Sequence, residues 1–332
     1  GIIILGNPTT NGVNVNVRGP VTIDVNQLSA NSGNRFQINN LTLTENTLTT
    51  SGGNSYRLLV AGTTTLAGNY ANVSIATDSL TLEFAGKITG SGALNRVNTA
   101  NAIQRALVLD NPLNDYAGGT NIVLGQVQVT ANSGNPLGTG RVSVFPGGQL
   151  LLAGSNSLGS APLLVMSRAN NMGEVSLNSA FDPSSILTST TFASAYGTQL
   201  GLALPWFNTA LNMAAIGDGR SFLASGNKTN VEVAYLATTL GAGLPDLYSS
   251  LPNQPVYRIS GGAWSPNAYG NFAFSGADNV FTDNGGIATF LQVGSPLANV
   301  INSSSFGQNG NLYLRNSNNF TGGMQIAKSN TV

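Results

Sequence analysis

The feature that most constrains the fold is a series of short segments in which apolar and polar residues alternate. The segments are about three to six residues long, and Gly, Asn, Pro or Ser residues separate them. A period of two is typical of β-strands with one buried and one exposed face. The chain is therefore expected to be all-β. The alternating apolar residues over the first 175 positions are Val13, Val15 and Val17, Val21, Ile23 and Val25, Phe36 and Ile38, Leu41 and Leu43, Val73 and Ile75, Leu80, Leu82 and Phe84, Leu107 and Leu109, Val127 and Val129, Val142 and Val144, and Leu150 and Leu152.

Many short strands are compatible with a sandwich, a propeller or a parallel β-helix. The polar positions favour the β-helix, because the chain has 42 Asn among its 332 residues and only 8% charged residues. Uncharged Asn, Thr and Ser can stack on themselves in successive rungs, whereas stacked Lys or Glu would repel one another. We therefore predict a right-handed parallel β-helix, or solenoid.

The regularity of the pattern suggests three regions. Residues 1–179 are predicted to form β-helix rungs, and residues 291–332 further rungs that finish in a half-repeat. Residues 180–290 are less regular, and we expect an irregular, partly helical insertion or embellished rungs there. Within this region 204–217 has Pro205 and Gly217 placed as in a short helix, and 234–252 has room for another helical turn or two.

Composition excludes several classes of function. Thirteen basic residues balance thirteen acidic ones, so there is no charge excess to attract nucleic acid or an anionic membrane. The absence of Cys and His removes thiolate nucleophiles, histidine bases and nearly every zinc site. No run of about 20 apolar residues occurs, so we expect no helical membrane insertion by this segment. The first residue is Gly rather than Met, which suggests a mature product or an excerpt.

The acidic residues are scattered, and we expect no catalytic residue, no cofactor and no enzymatic activity. The closest pairs are Asp110 with Asp115 and Asp278 with Asp283. Asp278 and Asp283, with Asn279 and Asn284, are a weak candidate for a Ca²⁺ site, because calcium requires only oxygen ligands. An Asx-rich turn is the plainer interpretation of the same residues.

The aromatic residues of the middle region allow two interpretations. An exposed cluster of Trp264, Tyr269 and Phe272 would suit sugar binding, and surface glycans are accordingly an alternative partner. Aromatic residues more often cover a hydrophobic core.

One stretch has a recognisable repeat pattern. Residues 107–154, "LVLDNPLNDYAGGTNIVLGQVQVTANSGNPLGTGRVSVFPGGQLLLAG", contain an apolar strand, a polar turn with Asn114 and Tyr116, Gly118-Gly119, further strands and a closing Gly147-Gly148. This resembles the autotransporter-associated β-strand repeat. "LYLRNSNNFTGG" (312–323) is similar to the opening of a second copy, and "ITGSGAL" (88–94) to a lead-in. The resemblance implies a parallel β-helix on large surface or secreted proteins of bacteria.

The tail and the head of the sequence look like two halves of one such repeat. The segment "GNPLGTG" (134–140) begins 15 positions after Gly119, and "GNPTTNG" (6–12) begins 15 positions after Gly323 when the head is read on from the tail. Neither end has an evident polar cap, and open strand edges recruit other chains. We therefore predict a head-to-tail interface that consists of Gly1, Ile2, Ile3, Ile4, Leu5, Met324, Ile326, Thr331 and Val332.

These observations predict a structural extracellular protein on the bacterial cell surface. It would associate with copies of itself, non-covalently or within a tandem-repeat chain, to form a β-helical filament. The alternative is a monomeric autotransporter-type adhesin passenger that binds glycans or cells. A β-helix enzyme that degrades polysaccharide is the third interpretation.

Overall fold

The described residues form an all-β parallel β-solenoid of about eight turns with almost no helix, which confirms the predicted all-β parallel β-helix. Its right-handedness stays a prediction. The computed structural model describes residues 2–4, 12–26, 32–76, 81–97, 106–168, 171–189, 192, 197–227, 231–245, 253–261, 263–265, 268–294, 310–326 and 330–331. The chain divides into two compact units, Gly1–Leu163 and Leu164–Val332.

The first unit contains three parallel sheets. Its strands are β1 (Ile2–Ile4), β2 (Val15–Val17), β3 (Val21–Val25), β4 (Arg35–Ile38), β5 (Leu41–Thr44), β6 (Thr47–Gly52), β7 (Arg57–Val60), β8 (Thr64–Ala67), β9 (Tyr70–Ile75), β10 (Thr81–Phe84), β11 (Ile88–Gly90), β12 (Ala93–Val97), β13 (Ala106–Leu109), β14 (Thr120–Ile122), β15 (Gly125–Val129), β16 (Val142–Val144) and β17 (Gly148–Leu152), and β18 (Leu163–Val165) spans its boundary. The strand orders within the unit are β1-β3-β6-β9-β12-β14-β16, β4-β7-β10-β13-β15-β17 and β2-β5-β8-β11.

Apolar residues stack in columns inside the first unit. One column runs through the register partners of β4, β7, β10, β13, β15 and β17, and every member is buried. Each such side chain contributes about 1.5–3 kcal/mol by leaving water. Because neighbours in a column come from successive turns, this burial holds the turns together. The column is Phe36, Leu58, Leu82, Leu107, Val127 and Leu150.

Polar side chains stack on the outside, as the composition predicts. Asn72, Asn95 and Asn121 are register partners on β9, β12 and β14. Asn95 donates to Asn72 across 3.0 Å, and Asn121 donates to Asn95 across 2.8 Å. An amide carries both a donor and an acceptor, so this ladder satisfies itself from turn to turn.

The second unit is also built mainly from parallel strands. Its elements are β19 (Ser167–Arg168), β20 (Asn171–Met172), β21 (Glu174–Leu177), β22 (Gln199–Leu202), β23 (Trp206–Phe207), β24 (Leu211–Asn212), the 3-10 helix η1 (Met213–Ala215), β25 (Phe222–Ser225), β26 (Glu232–Tyr235), β27 (Leu240–Gly241), β28 (Val256–Ser260), β29 (Ala263–Ser265), β30 (Ala268–Phe274), β31 (Phe290–Val293), β32 (Gly310–Leu314), β33 (Met324–Ile326) and β34 (Asn330–Thr331). Parallel sheets have the orders β21-β22-β25-β28-β31-β33, β23-β26-β30-β32-β34 and β24-β27, while β19 with β20 and β29 with β30 are antiparallel pairs.

The helix expected within 204–217 is only one 3-10 turn, η1. The Asn212 side chain accepts from the Ala214 amide and starts the turn, and Ile216 is already extended again at φ −101°. Three residues are too few to sustain an α-helix, whose first turn is costly to nucleate. The described residues of 234–252, namely 234–245, contain strand and turn but no helix.

Candidate functional site: terminal strand edges and Gly-Gly turns

The predicted head residues Ile2, Ile3 and Ile4 form β1, which lies at the edge of its sheet. They pair in parallel with Thr22, Ile23 and Asp24 of β3. Among the described residues, no strand pairs with the other edge of β1. A parallel strand edge of this kind presents backbone donors and acceptors to an incoming chain. Gly1 and Leu5, also predicted for the interface, lie outside the described residues.

The predicted tail residues Met324 and Ile326 form the edge strand β33. They are register partners of Leu291 and Val293, which are fully buried. Met324 and Ile326 are 44% and 50% exposed, although they continue the same columns. Among the described residues no strand pairs with the other edge of β33, so this part of the second unit presents an apolar surface next to an unpaired strand edge. Thr331 lies in β34, the edge strand of another sheet, and Val332 is outside the described residues.

Residues 114–119 form a Gly-Gly turn, here called the covered turn. In the first unit it lies between the preceding and the following level of the solenoid. Asn114 is buried, and its Oδ1 accepts from the Ile88 amide at 2.7 Å. The Asp115 amide donates to the Ile88 carbonyl at 3.0 Å. Tyr116 is fully buried with its hydroxyl 2.6 Å from Thr120 Oγ1, and burial raises the pKa of its phenol. These contacts attach the turn to the preceding level of the solenoid.

The residues 318–323, here called the terminal turn, repeat this arrangement 204 positions later. The Asn318 Oδ1 accepts from the Phe281 amide at 2.9 Å, and the Asn319 amide donates to the Phe281 carbonyl at 3.3 Å. Phe281 thus takes the place that Ile88 has in the first unit. Gly323 has φ +94°, close to the +88° of Gly119, so both turns use the left-handed region that favours glycine.

The two aspartates proposed as calcium ligands hold the terminal turn and the segment before it. Asp278 Oδ1 accepts from the Ser317 amide at 3.0 Å. Asp283 accepts from the amides of Thr289 and Thr321 and from the Thr321 hydroxyl. The hydrogen bond from the Thr289 amide, followed by those from Thr321, lowers the pKa of Asp283. These carboxylates therefore hold the backbone in place by accepting hydrogen bonds from its amides. The calcium site stays a prediction.

The other candidate acids each have a separate partner. Asp115 pairs with Lys87 at 2.5 Å, and the hydrogen bond from Lys87 lowers the pKa of Asp115. Asp110 accepts from the Thr130 hydroxyl. In the described ranges no group of three or more acidic side chains is arranged to hold a metal ion.

The aromatic cluster proposed for sugar binding is not available in full. Phe272 is completely buried in the core of the second unit, so it cannot stack on a ligand. The side chains of Trp264 and Tyr269 lie outside the described part of the structure. Trp206, by contrast, is 72% exposed on β23, so a ligand can reach it.

The sequence did not reveal that Asn318 and Asp283 organise the terminal turn. The available signal was the constant sequence offset from the covered turn, which aligns Asn318 with Asn114 and Phe320 with Tyr116. Asp283 has no counterpart in that alignment. Its role depends on its contact with Thr321, which lies 38 residues further along the chain.

Comparison with protein-family models, with curated proteins and with solved structures gives no match for this chain. None of the helices in the described part of the chain has the length and apolarity needed to span a membrane. The class of protein that the fold defines is a β-helix repeat protein.

Proposed function

We propose that this chain is a structural β-solenoid protein that associates with copies of itself head to tail and so builds a filament. The observation that supports this proposal best is the apolar edge at β33, where Met324 and Ile326 extend buried columns yet remain half exposed. Burying such side chains against a further rung would remove apolar surface from water and pair the free strand edge.

An extracellular location on a bacterial surface accompanies this function in our proposal. Its support is the resemblance of residues 107–154 to the autotransporter-associated β-strand repeat, together with the uncharged Asn ladder. The lack of Cys means that the protein needs no oxidising step to reach its fold.

The experiment compares the 332-residue chain with a double variant, Met324→Lys with Ile326→Lys, by sedimentation velocity and electron microscopy. Lysines on an edge strand oppose strand addition through charge repulsion and desolvation. We expect filaments from the unmodified chain and monomers from the double variant. The matched control is Ile287→Lys, because Ile287 is 55% exposed in the same unit but lies in a turn. A chain that stays monomeric at every concentration, or equal loss in the control, would refute the proposal.

Whether the copies are separate or joined is decided by the intact mass of native material under denaturing conditions. A mass near 34.0 kDa indicates separate subunits that associate by strand addition. A mass many times larger indicates copies joined in one polypeptide. Both outcomes are compatible with a filament and differ only in how the edges come together.

A monomeric autotransporter-type adhesin is the second candidate, and the exposed Trp206 favours it. An exposed indole can stack on the apolar face of a sugar ring. A glycan-array signal that Trp206→Ala abolishes, in a chain that forms no filaments, would support the adhesin over the filament.

A further inference from the structure

We propose that the terminal turn (318–323) is a docking site for residues 6–12 of a second copy of this chain. The inference rests on the proposed head-to-tail association and identifies where the copies recognise each other. The occupant is argued from the way in which the first unit covers its own Gly-Gly turn.

In the first unit the segment 134–140, "GNPLGTG", lies directly on the covered turn. Asn114 Nδ2 donates to the Pro136 carbonyl at 2.7 Å, and the Thr139 amide donates to the Tyr116 carbonyl at 3.0 Å. A Cβ added at Gly140 would lie 2.4 Å from the backbone nitrogen of Gly119, so this position must be glycine. The segment recognises the turn through a carbonyl, an amide and a close backbone approach.

The terminal turn makes the same kind of hydrogen bonds to the preceding level of the solenoid as the covered turn does. Among the described residues, however, no segment lies on it as 134–140 lies on the covered turn. A Cβ at Gly119 would meet the Arg141 carbonyl of the next level at 2.4 Å, whereas at Gly323 the nearest atom is 3.7 Å away, on the Phe290 ring of the preceding level. Phe320 is half-buried, while Tyr116 at the matching position is fully buried.

Strand register places the expected cover over this turn. β13 pairs with β15 at an offset of 20 residues, as in Ala106 with Gln126, and β32 pairs with β34 at the same offset, as in Gly310 with Asn330. In the covered turn Gly134 lies against Pro112, and Pro136 against Asn114. A head that follows the tail in the same way puts residue 6 against residue 316 and Pro8 against Asn318.

The head carries the sequence that this position requires. The pattern Gly-Asn-Pro followed by three residues and then Gly occurs twice in the chain, at 134–140 and at 6–12. A Cβ added at Gly12 would have no heavy atom within 4 Å, so none of the described residues of its own copy requires glycine there. A close approach by Gly323 of another copy would explain why position 12 is glycine.

Three positions differ between the two segments, because Thr9, Thr10 and Asn11 stand where the first unit has Leu137, Gly138 and Thr139. Gly138 has φ +74°, a conformation that threonine disfavours, so Thr10 is not expected to reproduce this part of the contact. Recognition in trans is therefore assigned to Asn7, Pro8 and Gly12.

The test is Gly12→Val, measured against Gly19→Val. Both glycines have open space around an added Cβ and neither has a positive φ, so both variants should keep the thermal unfolding midpoint of the unmodified chain. We expect Gly12→Val to raise the concentration needed for filament assembly about tenfold or more, because the valine meets the partner's backbone. Gly19→Val should assemble normally.

The outcomes separate this inference from the proposed function. Normal assembly of Gly12→Val, together with loss in the Met324→Lys and Ile326→Lys double variant, overturns the docking site and leaves the filament intact. Failure of the unmodified chain to assemble overturns both. As a second readout, Pro8→Cys with Asn319→Cys should form a ladder of disulfide-linked multimers on oxidation, since Asn319 is exposed beside Asn318 and the chain has no other Cys. A single monomer band from that variant, or an equal ladder from Arg18→Cys with Asn319→Cys, contradicts the site.

Discussion

Replacing Asn114 with alanine tests whether buried amides in the Gly-Gly turns join successive levels of the solenoid. Asn114 is 1% exposed and contacts residues on both sides of its own level. Its Oδ1 accepts from the Ile88 amide and its Nδ2 donates to the Pro136 carbonyl, each at 2.7 Å. Alanine removes both bonds and offers no replacement.

The expected cost follows from the two backbone groups left behind. A buried polar group that loses its partner costs about 1–3 kcal/mol. The Pro136 carbonyl falls at the lower end, since under-satisfied carbonyls are tolerated better than orphaned amides. We therefore expect Asn114→Ala to lower the free energy of local opening by about 2–4 kcal/mol. Since 1.4 kcal/mol corresponds to a factor of ten, the Ile88 amide should exchange at least about 30-fold faster.

Hydrogen exchange measured by mass spectrometry on peptides covering 81–97 reports this directly, with urea unfolding as the global measure. The control is Asn111→Ala, whose half-buried side chain donates to Ala85 O and accepts from the Leu113 amide. Water can replace those bonds, so we expect a loss below about 1 kcal/mol. Equal effects of the two substitutions, or unchanged exchange at Ile88, would show that the buried amide does not join the levels.

Two further predictions concern pH. Burial raises the pKa of Tyr235 to about 12. Its contribution to stability is therefore complete below pH 10 and is lost as pH rises from about 10 to about 12. The thermal unfolding midpoint should decline over this range, and Tyr235→Phe should reduce the decline. The pKa of Asp283 is lowered by hydrogen bonds from Thr289 and Thr321, so its contribution is present above about pH 4 and lost as pH falls through the folded-state value. The protection factor of the Thr321 amide should accordingly fall on acidification, and an unchanged factor, or the same fall in Asp283→Asn, would contradict this assignment.

The fold could be predicted from the sequence mainly where strands have one buried face. In β4 and β5 alternate residues are buried, and these strands coincide with the alternating pairs that indicated them. In β25 every residue is buried, and the apolar residues Phe222, Leu223 and Ala224 are consecutive, so no alternation marks this strand. A strand that is covered on both faces does not need a period of two. Part of 180–290 therefore looked irregular although parallel strands pass through it.

The terminal turn could be predicted in outline but not in its contacts. Its Asn, aromatic and Gly-Gly residues repeat those of the covered turn at a constant offset. The residues that hold it do not, because Ile88 precedes Asn114 by 26 positions and Phe281 precedes Asn318 by 37. Loops of variable length between rungs remove any fixed spacing from which such partners could be found.

The rarity of charge in this chain follows from stacking. Arg35 and Arg57 are register partners on neighbouring strands, so their like charges lie one strand spacing apart. Glu83 offsets this repulsion, with one oxygen 3.3 Å from Arg35 and the other 2.8 Å from Arg57. A charged column thus needs a compensating partner within a turn or two, whereas an Asn column extends without one.

The direction of pairing determines what kind of assembly the edges can form. β1 pairs in parallel with β3, and β33 pairs in parallel with β31. A copy that adds in the same sense joins a head to a tail and leaves an identical free edge behind, so growth does not stop by itself. Addition in the antiparallel sense would join two like edges, and pairing through β33 alone would close after two copies. A stable dimer that grows no further would therefore contradict parallel addition, even if the Met324 and Ile326 surface were buried in it.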